Sequence, residues 1–220
     1  GGSETVTSGV SELLVLPLYP QYAASCTGAA LDKVWREILA QRNQMSVCSI
    51  SRFYDHPAYI RALAQQIHNY RAQHGSGDLL MFSFHGIPQR HNDLGDPYAD
   101  ECRRTAQLTA KELGLTEKDY VVSFQSRFGK NKWIEPSTQA LFSTLPKKQG
   151  VRRLDVICPG FVSDCLETME EIAIAGREQF HAAGGEQFHY IPCLNDNPEF
   201  LDALVRILQD NSAWLAAAES

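Results

Sequence analysis

The chain has 220 residues, of which 44% are hydrophobic and 21% are charged, and its formal net charge is −6. This length and composition suit a globular protein with a core of its own. The acidic balance argues against a nucleic-acid partner, and no apolar run approaches the roughly 18 residues that span a bilayer.

Apolar strand-like runs alternate with helical patterns along the whole sequence. Strands are predicted at 12–18, 46–51, 78–84, 119–124, 153–158 and 187–191. Helices are predicted at 28–42, 57–74, 97–113, 137–149, 163–183 and 197–210. This order predicts an α/β fold in which a parallel sheet has helices on both faces. Ligands of such sheets bind beyond the carboxyl ends of the strands, so the loops after the strands are the candidate site.

The third predicted strand ends in a histidine. The apolar run that begins at Asp78 leads directly into His85-Gly86-Ile87-Pro88. A histidine near a strand end is more often a hydrogen-bonded structural residue than a catalyst. The Gly/Pro turn, however, places this imidazole at a rim, where it can bind a metal or exchange a proton near neutral pH. The other six histidines are interpreted as solvated or structural.

Two loops supply aromatic and polar side chains at the same edge of the sheet. Tyr19, Tyr22 and Trp133 either pack within their loops or form the walls of a large, flat, apolar ligand site. Ser126 lies beside Arg127 and Lys130, which could hold an acidic group of such a ligand. The sequence has no G-x-G-x-x-G or P-loop motif and no G-x-S-x-G motif, so nucleotide binding and hydrolase chemistry are unsupported.

An acidic series opens the fifth predicted helix. Asp164, Glu167 and Glu171 are spaced to share one face of an α-helix. They are either a solvated face near a helix N-terminus or carboxylates whose coupled titration lets them pass protons near pH 7. One ligand each from His85 and Glu167 is too few for a closed structural metal site. The pair suits an ion that is delivered and leaves, and imidazole is a good ligand for Fe²⁺.

Four motifs in this order resemble the ferrochelatase family, in particular its bacterial members. They are Leu16-Pro17-Leu18-Tyr19-Pro20-Gln21-Tyr22, Ser83-Phe84-His85-Gly86-Ile87-Pro88, Phe124-Gln125-Ser126-Arg127-Phe128-Gly129 with Trp133, and Cys158-Pro159-Gly160-Phe161 followed by Asp164-Cys165-Leu166-Glu167-Thr168. The match runs from about residue 10 to 210, and the combination is far more specific than any single motif.

The resemblance implies insertion of Fe²⁺ into protoporphyrin IX, which gives protohaem, and it implies the Rossmann-like chelatase fold. It assigns both catalysis and metal binding to His85 and Glu167, without deciding which of them meets the metal first. By the same resemblance, Asp164 and Glu171 belong to a proton path. The residues that it places at the porphyrin are Tyr19, Ser126 and Trp133.

The resemblance also sets the expected domain boundaries. Residues 1–9 are expected to be a polar leader, 10–190 the second chelatase domain, and 191–220 a C-terminal helical segment that packs on a first domain without a counterpart here. Some relatives carry a [2Fe–2S] cluster, but the loop position is Ala24 and no cysteine follows Cys193. We therefore expect no cluster and no prosthetic group, with Fe²⁺ as a substrate.

The remaining expectations concern location and the alternatives. No Cys-x-x-Cys pair and no secretory signal are visible, which favours reduced thiols in a cytoplasmic protein. Peripheral membrane contact and oligomeric state stay open. Two other functions also stay open: a chelatase for coproporphyrin or sirohydrochlorin, and a tetrapyrrole- or metal-binding module without turnover.

Overall fold

The computed structural model describes residues 12–22, 28–40, 46–127 and 129–211. All six predicted strands are present: β1 (Glu12–Val15), β2 (Ser46–Ser49), β3 (Leu79–His85), β4 (Tyr120–Gln125), β5 (Arg153–Ile157) and β6 (Gln187–Tyr190). The α-helices are α1 (Ala29–Leu39), α2 (Pro57–His74), α3 (Gln89–Asp93), α4 (Tyr98–Glu112), α5 (Thr138–Gln149), α6 (Ala175–Ala182) and α7 (Pro198–Asn211). The short helix α3 was not predicted.

The strands form two groups, and every pair is parallel. The larger sheet has the order β4-β3-β5-β6. Its central strand β3 pairs with β4 through Leu80↔Tyr120 and with β5 through Leu79↔Leu154. Strands β1 and β2 pair with each other in a separate two-stranded sheet. The predicted parallel sheet is therefore confirmed, although the first two strands stand apart from it.

Helices cover both faces of the larger sheet, as predicted. Side chains along a strand point alternately to opposite faces. Leu80 and Phe82 of β3 belong to the core that includes residues of α2, α4 and α7. Leu79 and Met81 belong to the second core, which includes residues of α5 and α6. Burial on both sides explains why β3 reads as a continuous apolar run.

Local signals explain where helices begin and end. The helix α2 starts with Pro57 at its first position, and the His56 ring accepts a hydrogen bond from the backbone N–H of Ala58 at 3.1 Å. Proline is favoured there because its missing N–H would have had no partner within the helix. The helix α5 ends at Gly150, whose φ of 65° lies in the left-handed region that glycine adopts easily.

The predicted helix 163–183 begins three residues too early, and its first half is a π-helix rather than an α-helix. Residues 158–165 are irregular, and Glu167–Ile174 is a π-helix that continues directly into α6. A π-helix is rare, and short ones occur often at functional sites. This segment follows β5, so it begins at the same sheet edge as His85.

The last helix, α7, packs against α2 through Phe200, Ala203 and Ile207. Leu201 and Val205 are about half exposed on another side of α7. The structure thus places one face of α7 within this domain. The predicted boundaries 1–9, 10–190 and 191–220 stay predictions, and residues 1–11 and 212–220 lie outside the described residues.

Candidate functional site at the carboxyl edge of the sheet

His85 is the last residue of β3, and its backbone surroundings fix the tautomer of its ring. Its Nδ1 lies 2.7 Å from the carbonyl oxygen of Gly86. A carbonyl oxygen only accepts hydrogen bonds, so Nδ1 is the protonated nitrogen and Nε2 has the free lone pair. That lone pair can take a proton or bind a metal ion.

Gly86 lets the chain turn closely past the neighbouring strand. Its backbone N–H donates to the carbonyl oxygen of Gln125 at 2.7 Å. A Cβ at this position would lie only 2.8 Å from that oxygen and 3.3 Å from Cε3 of Trp133. Any larger residue would therefore push apart the strand end and the Trp133 segment.

A cavity of about 360 Å³ opens beside His85. Its aromatic walls include Tyr19 and Trp133, but Tyr22, the third aromatic residue predicted as a wall, is not among its lining residues. The structure brings His85, Tyr19 and Trp133 together, although each comes from a different loop or strand end. The remaining lining residues are Gln21, Gly86, Ile87, Pro88, His91, Tyr98, Gly160 and Phe161.

Trp133 is held at this cavity by backbone pairing. The N–H of Ile134 donates to the carbonyl oxygen of Ile87 at 2.9 Å, and the N–H of Gln89 donates to that of Lys132 at 2.9 Å. These two bonds flank Trp133 and fix the loop after β4 against the turn after β3. Main-chain hydrogen bonds on both sides of Trp133 thus fix the position of this wall of the cavity.

Glu167 opens the π-helix close to His85. The backbone carbonyl of Glu167 accepts a 3.4 Å hydrogen bond from Gln125, which lies opposite His85 in the β3–β4 register. The Cys165 thiol, the backbone N–H of Glu167 itself and the nearby His85 lower the pKa of the Glu167 carboxyl, and the thiol contact is 3.1 Å. Glu167 is exposed, so its carboxylate is accessible to an arriving cation.

Glu171 faces the loop after β4 and holds it. Its carboxylate accepts hydrogen bonds from the backbone N–H of Ser126 at 2.8 Å, from the Ser126 hydroxyl at 2.7 Å and from the Gln139 amide at 2.6 Å. Ser126 is buried and has a φ of 63°, an uncommon conformation that these bonds support. Ser126 is not among the residues that line the His85 cavity.

Asp164 lies before the π-helix, so the predicted stacking of three carboxylates on one helix face is wrong. Its carboxylate accepts hydrogen bonds from the Tyr190 hydroxyl and, at 3.0 Å, from the Asn195 amide. Burial alone would raise the pKa of Asp164, but the bonds from Asn195, Tyr190 and Cys193 outweigh it and lower the pKa. Asp164 therefore connects the irregular segment with the region after β6.

Gln125 is a central residue that the sequence reasoning missed. It is fully buried, and its side-chain oxygen accepts a 2.7 Å hydrogen bond from Ser83 while its amide contacts the carbonyl of Glu167. A polar residue at the end of an apolar strand, opposite His85, was the available signal. His91 was treated as solvated, and it is exposed, but it lines the His85 cavity.

Within the described ranges, no group of three or more His, Cys, Asp or Glu residues is arranged to hold a metal ion. In that same part of the chain no helix is both long and apolar enough to cross a membrane. The cysteines found as free thiols are Cys102, Cys158, Cys165 and Cys193.

Comparisons with known proteins agree on one family. A family model described as Ferrochelatase matches residues 3–212. A protein named ferrochelatase from Neisseria meningitidis serogroup B is 63% identical over 213 residues, which cover 96% of this chain and 63% of the relative. A ferrochelatase from Azoarcus sp. is 48% identical over 211 residues, which cover 96% of this chain and 58% of the relative. The chain thus spans less than two thirds of the length of these relatives.

Solved structures support the fold. SirB from Bacillus subtilis, in a structure with Fe3+, superposes with a TM-score of 0.65 at 14% identity, covering 96% of this chain and 75% of that one. CbiX, described as the terminal enzyme for siroheme biosynthesis in denitrifying bacteria, superposes with a TM-score of 0.57 at 14% identity, covering 91% of this chain and 76% of that one. At this identity the likeness concerns the fold alone.

Proposed function

Because the chain belongs to the ferrochelatase family, we propose that it takes part in the insertion of Fe²⁺ into protoporphyrin IX, the terminal step of haem biosynthesis. The reaction yields protohaem and two protons. The observation that carries this proposal is the cavity that His85 lines together with the aromatic residues Tyr19 and Trp133. Because the chain spans 63% of the Neisseria meningitidis relative, activity of the chain alone is part of the proposal.

The two central residues differ in the chemistry that they offer. Glu167 has a lowered pKa and is exposed, so an ionised carboxylate is available to an incoming Fe²⁺ at neutral pH. Because Nδ1 of His85 donates to the Gly86 carbonyl, Nε2 is the ring nitrogen that can accept a proton from a pyrrole N–H as the metal enters. We therefore propose that Glu167 meets the metal first and that His85 is the principal base.

The other predicted site residues receive different degrees of support. Tyr19 and Trp133 have the flat apolar surfaces that a porphyrin would contact. The Ser126 hydroxyl donates to Glu171, so a direct porphyrin contact of Ser126 stays a prediction. The hydrogen bonds of Asp164 and Glu171 support a role in holding loops, and a proton path through them also stays a prediction.

Three further expectations remain proposals. We propose a cytoplasmic protein, and we propose that the chain contains no [2Fe–2S] cluster. The loop position Ala24, on which the second proposal rests, lies outside the described residues. Iron together with acid-labile sulfide in the purified chain would contradict the absence of a cluster.

The first experiment is anaerobic metalation of protoporphyrin IX, followed by its absorbance after Fe²⁺ is added. The chain is compared with a chimera that adds the part of the Neisseria meningitidis relative that it does not match. Turnover by the chimera is expected. Turnover by the chain as well would mean that it contains enough of the site to act alone, and porphyrin binding without metalation by both forms would favour the binding module instead.

A matched pair of histidine variants tests the assignment of His85. In both His85 and His181 the Nδ1 atom donates to a backbone carbonyl, but His181 is on α6 and outside the cavity. The variants are made in the form that shows turnover, the chain or the chimera. There His85→Ala should lower the metalation rate at least about a hundredfold, the usual contribution of a general base, whereas His181→Ala should keep the unmodified rate. Similar rates in the two variants would refute the assignment.

The tetrapyrrole itself needs a separate test. Competition among protoporphyrin IX, coproporphyrin and sirohydrochlorin for limiting Fe²⁺ measures the preference directly. Preferential metalation of either alternative would replace the proposed substrate and leave the proposed chemistry intact.

A further inference from the structure

A buried carboxylate lies beneath the first loop of the candidate site. Glu101, in the first turn of α4, is 4% exposed. Its Oε1 lies 3.4 Å from Nε of Arg52, whose side chain is 42% exposed. Neither carboxylate oxygen makes a hydrogen bond of good geometry to any residue that the structure describes. Burying a carboxylate without good hydrogen bonds costs free energy. The proposed chemistry at His85 does not use Glu101, so its burial needs another explanation.

Arg52 connects this carboxylate to the loop. The guanidinium carbon of Arg52 lies 4.8 Å from the ring centroid of Tyr22, within the range of a cation–π interaction. The backbone N–H of Tyr22 also favours the ionised form of Glu101. Glu101 and Arg52 thus converge on the end of the segment 16–22, which we call the Tyr19 loop.

The Tyr19 loop forms one wall of the cavity, and the sheet does not hold it in place. Tyr19 and Gln21 line the cavity, but the preceding strand β1 pairs only with β2 among the described strands. Contacts with neighbouring segments must therefore position the loop. Two are hydrogen bonds of 3.0 Å, from the Phe53 N–H to the carbonyl of Pro20 and from the Gln21 amide to the Thr105 hydroxyl. Another is the contact of Arg52 and Glu101 with Tyr22.

We propose that Glu101 is a positioning residue, which fixes the Tyr19 loop against α4 through Arg52, and that uptake of a proton by Glu101 loosens this wall of the cavity. Burial raises the pKa of Glu101 to about 7, against the opposing effect of Arg52, so the change falls near neutral pH. Above this pH the loop is held, and below it the attraction to Arg52 is lost. Because Arg52 lowers the pKa of Glu101, a loosened loop with Glu101 still buried on α4 binds the proton more tightly than the held loop, so proton uptake favours loosening. The titratable and charged groups that interact with Glu101 are Arg52, Tyr54, Asp55, Asp96 and Cys102.

Hydrogen–deuterium exchange tests the positioning without any ligand. The readout is the protection of two backbone amides between pH 6 and 8, corrected for the intrinsic exchange rate: that of Tyr22, which lies beside Glu101, and that of Phe53, which donates to the carbonyl of Pro20 in the loop. In the unmodified chain, protection should fall roughly tenfold as the pH drops through 7, as expected for the loss of one charge-assisted contact. Glu101→Gln should show the lower protection at every pH.

Two further variants make this test specific. Asp100→Asn removes the neighbouring, solvent-exposed carboxylate of the same helix and should behave as the unmodified chain. Arg52→Gln removes the half-exposed partner, and it should reproduce the low, pH-independent protection of Glu101→Gln. If both Glu101→Gln and Arg52→Gln keep the protection and pH dependence of the unmodified chain, the inference is refuted.

Porphyrin binding extends the test to the site, and this part rests on the proposed function. The dissociation constant of protoporphyrin IX, followed by fluorescence, should be weaker at pH 6 than at pH 8 in the unmodified chain and in Asp100→Asn. In Glu101→Gln it should be equally weak at both values. Absence of porphyrin binding with the exchange effect intact would overturn the proposed function alone, whereas normal binding with no exchange effect would overturn only the role of Glu101.

Discussion

Replacing Glu101 by glutamine removes a buried charge while keeping the size and shape of the side chain. Burial raises the pKa of this carboxyl from 4.5 to about 7, and the attraction of Arg52 offsets only part of the rise. At 1.36 kcal/mol per pH unit, that rise corresponds to about 3 kcal/mol of free energy of unfolding. The side chain is 5% exposed, so solvent screening does not substantially reduce this figure.

The direction of the stability change with pH follows from which state, folded or unfolded, binds the Glu101 proton more tightly. The folded chain binds the Glu101 proton more tightly than the unfolded chain, so the ionised carboxylate lowers stability. This reduction in the free energy of unfolding is absent below about pH 4.5, grows between pH 4.5 and about 7, and reaches its full size above about pH 7. Glu101→Gln should therefore raise the free energy of unfolding by about 3 kcal/mol at pH 8 and by less than about 1 kcal/mol at pH 5.

Urea denaturation at pH 5 and pH 8 measures this difference directly. Asp100→Asn is the control, because its carboxylate is exposed on the same helix and its removal should leave both values unchanged. A gain of the same size at both pH values, or a loss at pH 8, would refute the reasoning. A gain would also mean that the native residue costs stability where it positions a loop, a conflict known from functional sites.

Three other substitutions have defined outcomes. Asp155→Asn removes the fully buried partner of Arg71 and Arg153, which should cost about 3–5 kcal/mol in urea unfolding; a cost below about 1 kcal/mol would contradict the importance of this ion-pair network. Gly86→Ala should cost about 1–3 kcal/mol, because the new methyl group meets the main chain of β4, and wild-type stability would contradict the close approach. Glu171→Gln should cost about 1–3 kcal/mol by weakening three hydrogen bonds, and an unchanged melting temperature would contradict this.

The sequence predicted the strands well because their signal is local. The apolar run of β3 was placed at 78–84 and is found at Leu79–His85, and burial on both faces explains why it was so clear. The position of His85 at the edge of the sheet followed from this strand. The resemblance to the ferrochelatase family, which rested on motifs in the loops, is confirmed by the comparisons.

The acidic segment was harder to predict because distant residues determine its shape. Asp164 is held by Tyr190 and Asn195, which lie 26 and 31 positions further along the chain. Helical spacing contains no information about such partners, so the predicted helix includes residues 163–165, which are irregular. The role of Ser126 shows the same limit, because its hydroxyl meets Glu171 at a separation of 45 residues.

The strand order also has a consequence for how the chain reaches its native state. Among the strands that the structure describes, no paired strands are joined by a hairpin: the β3–β4 pairing joins residues 40 positions apart, and the β3–β5 pairing joins residues 75 apart. Such non-local contacts make folding slow. Before β4 and β5 have paired with β3, its apolar residues 79–84 are exposed and both of its edges lack hydrogen-bond partners. Exposed apolar strands with unpaired edges are prone to aggregate. We therefore expect low temperature or chaperones during synthesis to raise the yield of folded protein.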